Sequence, residues 1–222
     1  MRVSSRLGRA LLVLTALLAW AGIVLQCAVA VRAAAGNGHS PAGAVLHAFS
    51  YFTVLTNLLV AVVATGLLLW PRRQHRLGSP ALLAATGVYI IVVGITYALL
   101  LRRLWAPQGL HWVADTLLHD VTPVLYVLWW LLYAPKRALA WSLPLKWLAY
   151  PALYALFLVI LGAATGRYLY PFADVARFGS AAVVRNAVLM LGAFWGLGML
   201  LVAVGRSVGD RGPAGGMWHS GV

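Results

Sequence analysis

The chain contains no glutamate, and its acidic residues are limited to Asp115, Asp120, Asp174 and Asp210. Charged residues of both signs amount to 9% of 222, where soluble domains carry roughly a quarter. With hydrophobic residues at 63%, that scarcity excludes a solvated shell around a soluble core. The single cysteine, Cys27, excludes an intrachain disulfide. Polar connections are short. The longest holds about fifteen residues, so no soluble domain fits between the apolar runs. No internal repeat is visible, which leaves an inverted-repeat transporter without support. The 17 basic residues give a net charge of +13, but they sit in short clusters between apolar runs. They form no basic stripe, and nucleic acid is excluded as a partner.

What is present is a set of long apolar runs. Six of them, roughly 10–31, 46–70, 81–101, 113–133, 147–165 and 181–204, reach the ~20 residues needed to cross a bilayer core. The first follows Arg2, Arg6 and Arg9 as a signal peptide would, but its apolar stretch is too long for one and reads as an uncleaved span. Turn-forming segments such as PRRQHRLGSP and APKRALAWSLP separate the runs. With the N-terminus inside, inner segments hold eleven basic residues and outer segments five. The positive-inside rule then places both termini in the cytoplasm. Trp70, Trp129, Trp130, Trp141 and Trp147 fall at inner ends, and Trp105 and Trp112 at outer ends. The expected architecture is all-α: a polytopic six-helix transmembrane domain over residues 1–206 and a flexible cytoplasmic tail over 207–222. The expected location is the cell membrane. Gly162-x3-Gly166 and Gly192-x3-Gly196 are helix-packing signals.

Polar residues concentrate in the outer half of two spans. Ser50, Thr53, Thr56 and Asn57 follow spacings of three and four, so they share one face of the second span. Thr53 lies about seven residues in, roughly 10 Å deep. His111, Asp115 and His119 share a face of the fourth span, and Pro123 withholds a backbone donor near the carbonyl of residue 119. A lone Thr in a membrane helix ordinarily bonds its own i−4 carbonyl, and Arg185 in the sixth span has the bland role of snorkelling to headgroups. Convergence of a hydroxyl face and an ionisable face at one depth points instead to acyl transfer. A hydroxyl needs a base to become a nucleophile, and an imidazole oriented by a carboxylate serves. Thr53 and His119 are the expected nucleophile and base, with Asp115 as orienter, Asn57 as best-placed oxyanion donor and Thr56 as alternative nucleophile. Tyr168, Tyr170 and Asp174 of the last outer loop, with Arg185, are placed at the pocket mouth. No cofactor is expected, and the partner is membrane lipid or a fatty acyl ester. Two other readings stand beside this one: a metal-dependent hydrolase using His111, Asp115 and His119, with His47 as a further ligand, and a lipid- or haem-binding protein with paired axial histidines.

Three blocks, FSYFTVLTNLL, LLHDVTPVL and GRYLYPFADV, resemble the androgen-induced / androgen-dependent TFPI-regulating protein family in order and spacing. The resemblance covers roughly residues 45 to 205, and Tyr170, Pro171 and Phe172 carry its most distinctive part. It implies a six-span membrane esterase of threonine-hydrolase type that cleaves fatty acid esters of hydroxy fatty acids. The family's nucleophile falls on Thr53 and its histidine on His119. The chain departs from the animal pattern at Thr56 or Asn57, where that pattern has an acidic residue, and has one residue fewer between His119 and Pro123.

Overall fold

The computed structural model describes residues 5–38, 40–70, 77–104, 106–136 and 139–208. The clusters at Arg2, at Arg72, Arg73 and Arg76, and at Arg137, together with Trp105 and residues 209–222 of the expected tail, lie outside them. The described residues form helices and no strand. Five helices are long and apolar enough to cross a membrane.

Helix α1, Arg6–Gly36, starts where the Ser5 hydroxyl accepts from the Gly8 amide at 2.9 Å. A short α2, Pro41–Ala48, is followed by a turn at 49–51 and then by α3, Phe52–Leu69. The second run is therefore broken, and Ser50 belongs to the turn and not to the α3 face. Its hydroxyl donates back to the Leu46 carbonyl at 3.0 Å. Thr53 accordingly stands in the first turn of a helix and not two turns deep in one.

Helix α4, Pro80–Thr96, has a Ser79 cap and proline at its first position, and continues as a π turn, Tyr97–Leu101. The fourth run folds as α5, Leu110–Thr116, a π turn at Leu117–Val121, and α6, Thr122–Tyr133. Together they make one helical rod roughly 35 Å long. After α7, Leu143–Trp147, comes α8, Ala149–Thr165, ended by Gly166 in the left-handed region at φ 65°. A 3-10 turn at Pro171–Ala173 and α9, Val175–Phe178, lead into α10, Ser180–Val208. Helix α10 runs two residues past the expected domain boundary.

The core gathers α1, α3, α4 and α6. Trp129, Trp130, Tyr126 and Leu83 are fully enclosed, and the Tyr126 hydroxyl donates to the Leu83 carbonyl at 3.0 Å. Two glycines let backbones come close. A Cβ at Gly22 would meet Leu118 at 2.9 Å, and one at Gly94 would meet the His119 carbonyl at 3.2 Å. Of the glycine pairs expected to pack, Gly162 lies against the Tyr168 ring and Gly166 caps a helix, whereas Gly192 and Gly196 have nothing within 4 Å.

Candidate functional site

The site begins with a proline. Within the π turn the ladder runs from i to i+5, and the Thr122 amide donates to the Leu117 carbonyl. The next bond in that register would come from residue 123, which is proline and has no N–H. The carbonyl left open is that of Leu118, one residue earlier than a regular α-helix would leave it. Asn57 of α3 fills it: its Nδ2 donates to the Leu118 carbonyl at 3.0 Å and to the Thr53 carbonyl at 2.9 Å. Fully buried, this amide joins α3 to the rod and fixes the register between them. Both of its hydrogens are spent on backbone carbonyls, so Asn57 has no donor left for an oxyanion. Its expected role is corrected to that of a clamp.

That register brings Thr53 Oγ1 to 3.3 Å from His119 Nε2. His119 Nδ1 lies 3.0 Å from the Asp115 carbonyl oxygen and 3.2 Å from Asp115 Oδ1. Both neighbours of Nδ1 are acceptors, so in the neutral ring Nδ1 carries the hydrogen and Nε2 offers its lone pair to Thr53. The Thr53 hydroxyl is then the donor. Asp115 is 5% exposed, and its second oxygen accepts from the Tyr97 hydroxyl. The Tyr97 ring stacks on His119, with centroids 4.0 Å apart and planes at 18°. The imidazole is thus held by a carbonyl, a carboxylate and an aromatic face. Sequence reasoning missed Tyr97. Its signal was its position in the third run, at the same end as His119.

Thr56 stands elsewhere. It is fully buried and pairs with the Tyr150 hydroxyl at 3.3 Å. Between Thr53 and Thr56, the geometry puts Thr53 beside the imidazole. Phe52, the first residue of α3, has an amide with no intrahelical acceptor. Two tyrosines supply one: the Phe52 N–H donates to Tyr154 at 3.0 Å and to Tyr170 at 3.1 Å. Tyr154 in turn donates to the Ser50 carbonyl at 2.8 Å. Tyr170 is 8% exposed, and burial pushes its phenol up to about 12, so it remains a protonated O–H donor at physiological pH.

A cavity of about 260 Å³ opens beside Thr53. Its walls come from α3, α4, α8, α10 and the loop before α9, and they are apolar apart from Thr53, Thr96, Asn186 and the tyrosines. Tyr170, Phe172 and Ala173 line it. Tyr168, Asp174 and Arg185 do not, which corrects three of the four expected mouth residues. Tyr168 covers Gly162, Asp174 caps α9 by accepting from the Arg177 amide at 3.0 Å, and Arg185 is exposed on α10. The loop is held to α10 by Asn186, which donates to the Phe172 carbonyl at 2.9 Å.

The alternative ligand sets are not assembled. Among the described residues no three His, Cys, Asp or Glu side chains come together as a metal site, so His111, Asp115 and His119 do not form one. His47 Nε2 lies 3.4 Å from the Tyr51 hydroxyl, and both His119 nitrogens face protein groups. In comparisons with known proteins, no family model, no curated protein and no solved structure matches the chain.

Proposed function

We propose that the chain is a six-span membrane esterase of threonine-hydrolase type, with both termini in the cytoplasm and the site in the outer half of the cell membrane. The fourth span, which joins the five long apolar helices to make six, is the rod Leu110–Tyr133. Its substrate is a fatty acyl ester, the class implied by the resemblance to the androgen-induced / androgen-dependent TFPI-regulating protein family. One observation carries the reading. A hydroxyl that lines an apolar cavity is hydrogen-bonded to an imidazole, whose other nitrogen lies against the backbone carbonyl and the carboxylate of Asp115.

In the first half-reaction Thr53 Oγ attacks the ester carbonyl while its proton passes to His119 Nε2. Asp115 stabilises the imidazolium through Nδ1–H. The tetrahedral intermediate collapses, the imidazolium protonates the departing alkoxide, and an acyl-threonine and an alcohol remain. Water then attacks the acyl carbonyl, His119 takes its proton and returns it to Thr53 Oγ, and the fatty acid leaves. No cofactor enters this scheme.

The test is a fluorophosphonate probe applied to the purified full chain, followed by mapping of the labelled residue. Labelling at Thr53 that is lost in His119→Ala is the expected result. Labelling confined to another residue overturns the assignment.

A further inference from the structure

The dyad lacks an assigned donor for the oxyanion. Asn57 has spent its hydrogens on carbonyls, and Tyr154 donates to the Ser50 carbonyl. The Phe52 amide is also taken, since it donates to Tyr154 and Tyr170. Tyr170 differs from all of these. Its oxygen is an acceptor for the Phe52 amide, which leaves its own O–H hydrogen free to turn among the neighbours. Thr53 lines the same cavity, and the Tyr154 ring lies 6.5 Å from that of Tyr170 between centroids. The residue is buried, lines the cavity together with Thr53, and is anchored one residue from it through the Phe52 amide.

We propose that Tyr170 is the oxyanion donor of the Thr53 site, its phenolic O–H directed at the bound ester's carbonyl oxygen, on which negative charge then develops. The inference rests on the esterase reading and goes beyond it by giving a residue of the last loop a catalytic role. An oxyanion donor must be in place before the charge develops, so that no reorganisation is needed at the moment of reaction. The Phe52 N–H fixes the phenol oxygen, the T-shaped contact with Tyr51 holds the ring, and Phe172 stacks on it at 5.2 Å. Position is therefore set by three contacts, and only the hydrogen moves. The positive end of the α3 dipole lies at the same place and acts in the same direction.

The experiment compares wild type, Tyr170→Phe and Thr53→Ala, each purified as the full chain, with a p-nitrophenyl fatty acyl ester as substrate. Tyr170→Phe is expected to lower kcat by about 10²- to 10³-fold with KM within a few fold, as expected for an interaction made only in the transition state. Its Thr53 is still labelled by fluorophosphonate, more slowly. A second measurement covers poor folding of the Phe variant: a fluorinated, more acidic tyrosine placed at 170 must change kcat at a pH where the phenol stays protonated. A kcat loss below tenfold in Tyr170→Phe, or no response to the fluorinated phenol, overturns the proposal while an inactive Thr53→Ala leaves the esterase reading intact. A fully active Thr53→Ala overturns both.

Discussion

The two sides of the bundle are built differently. Over their most apolar 18-residue stretches, 56% of α3 and 61% of Pro80–Leu101 are buried, against 17% of Leu143–Thr165 and 22% of Ser180–Val208. On the first side glycines admit close contacts, and the Asn57 amide and the Tyr126 hydroxyl donate across helices. On the second, Leu153, Leu156, Ile160, Val184, Val188 and Leu189 are exposed, and the glycines of α10 at 192 and 196 face open space. The cavity lies on the seam. Its polar end is Thr53 on the tight side, and its far wall is α8 and α10. Under the esterase reading proposed above, the tight side would hold the reacting groups and the lightly packed wall would admit a long apolar substrate from the side.

The largest effects are expected where the tight side carries chemistry. Thr53→Ala and His119→Ala should each remove turnover and probe labelling, since members of one catalytic unit fail together and non-additively. Each protein should still fold, because a polar change of this kind in a bundle shifts association by only about 1 kcal/mol. Thr53→Ser should retain part of the activity. Turnover by Thr53→Ala at the wild-type rate would place the chemistry elsewhere.

Next comes the clamp. Asn57→Leu leaves the Leu118 carbonyl without its donor in a buried place, at a cost of about 1–3 kcal/mol by the usual penalty for an orphaned group. Thermal unfolding in detergent should shift down, and activity should fall, because the register of α3 against the rod sets the distance between Thr53 and His119. A variant with an unchanged midpoint would show that the close fit of Gly22 and Gly94 alone holds that register.

Those glycines sharpen the comparison directly. Gly94→Ala puts a methyl 3.2 Å from the His119 carbonyl, a backbone atom that cannot swing away. Overpacking of this sort costs about 1–3 kcal/mol, and it should displace the rod at His119. Gly192→Ala, on the loose side, meets nothing within 4 Å and should leave the midpoint unchanged or slightly raised. Equal shifts in the two variants, measured in one melting series, would erase the distinction between the sides.

Much of this was legible in the sequence. Spacings of three and four put Thr53 and Asn57 on one face and Asp115 and His119 on another, and both helices present those faces to each other. Less legible was anything that depends on a partner. The π turn arises from Pro123 together with an amide on a different helix, and no local pattern encodes the pairing. The clamp role of Asn57 was hidden for the same reason, since an amide near a hydroxyl reads equally as donor to substrate or to backbone. The break at residues 49–51 was obscured because Phe49 and Tyr51 are as apolar as a span requires. In the loop, Tyr168 and Tyr170 look alike, but irregular backbone has no period from which to read direction. The Phe52 amide bonds Tyr170, whereas Tyr168 covers Gly162.

The smallest effect should come from the rim of the tight side, where Arg102 pairs with Asp120 and lies 5.0 Å over the Tyr97 ring. The pair touches the same Tyr97 that stacks on His119, so it has the connectivity of a control element. Its side chains are 49% and 40% exposed, however, and an exposed ion pair contributes about 0–1 kcal/mol. Tyr97 keeps its bond to Asp115 and its stack on His119 without Arg102. Arg102→Ala should therefore lower the midpoint by a degree or so at low salt, with the difference shrinking at about 1 M salt, where the Debye length falls to ~3 Å. Turnover should stay within roughly threefold of wild type, because a surface change away from the buried network moves stability by only about 0.5 kcal/mol. A tenfold loss of kcat at unchanged stability would mean that the rim pair sets the position of Tyr97. The boundary between a rigid catalytic interior and an expendable surface would then have to be drawn outside Arg102.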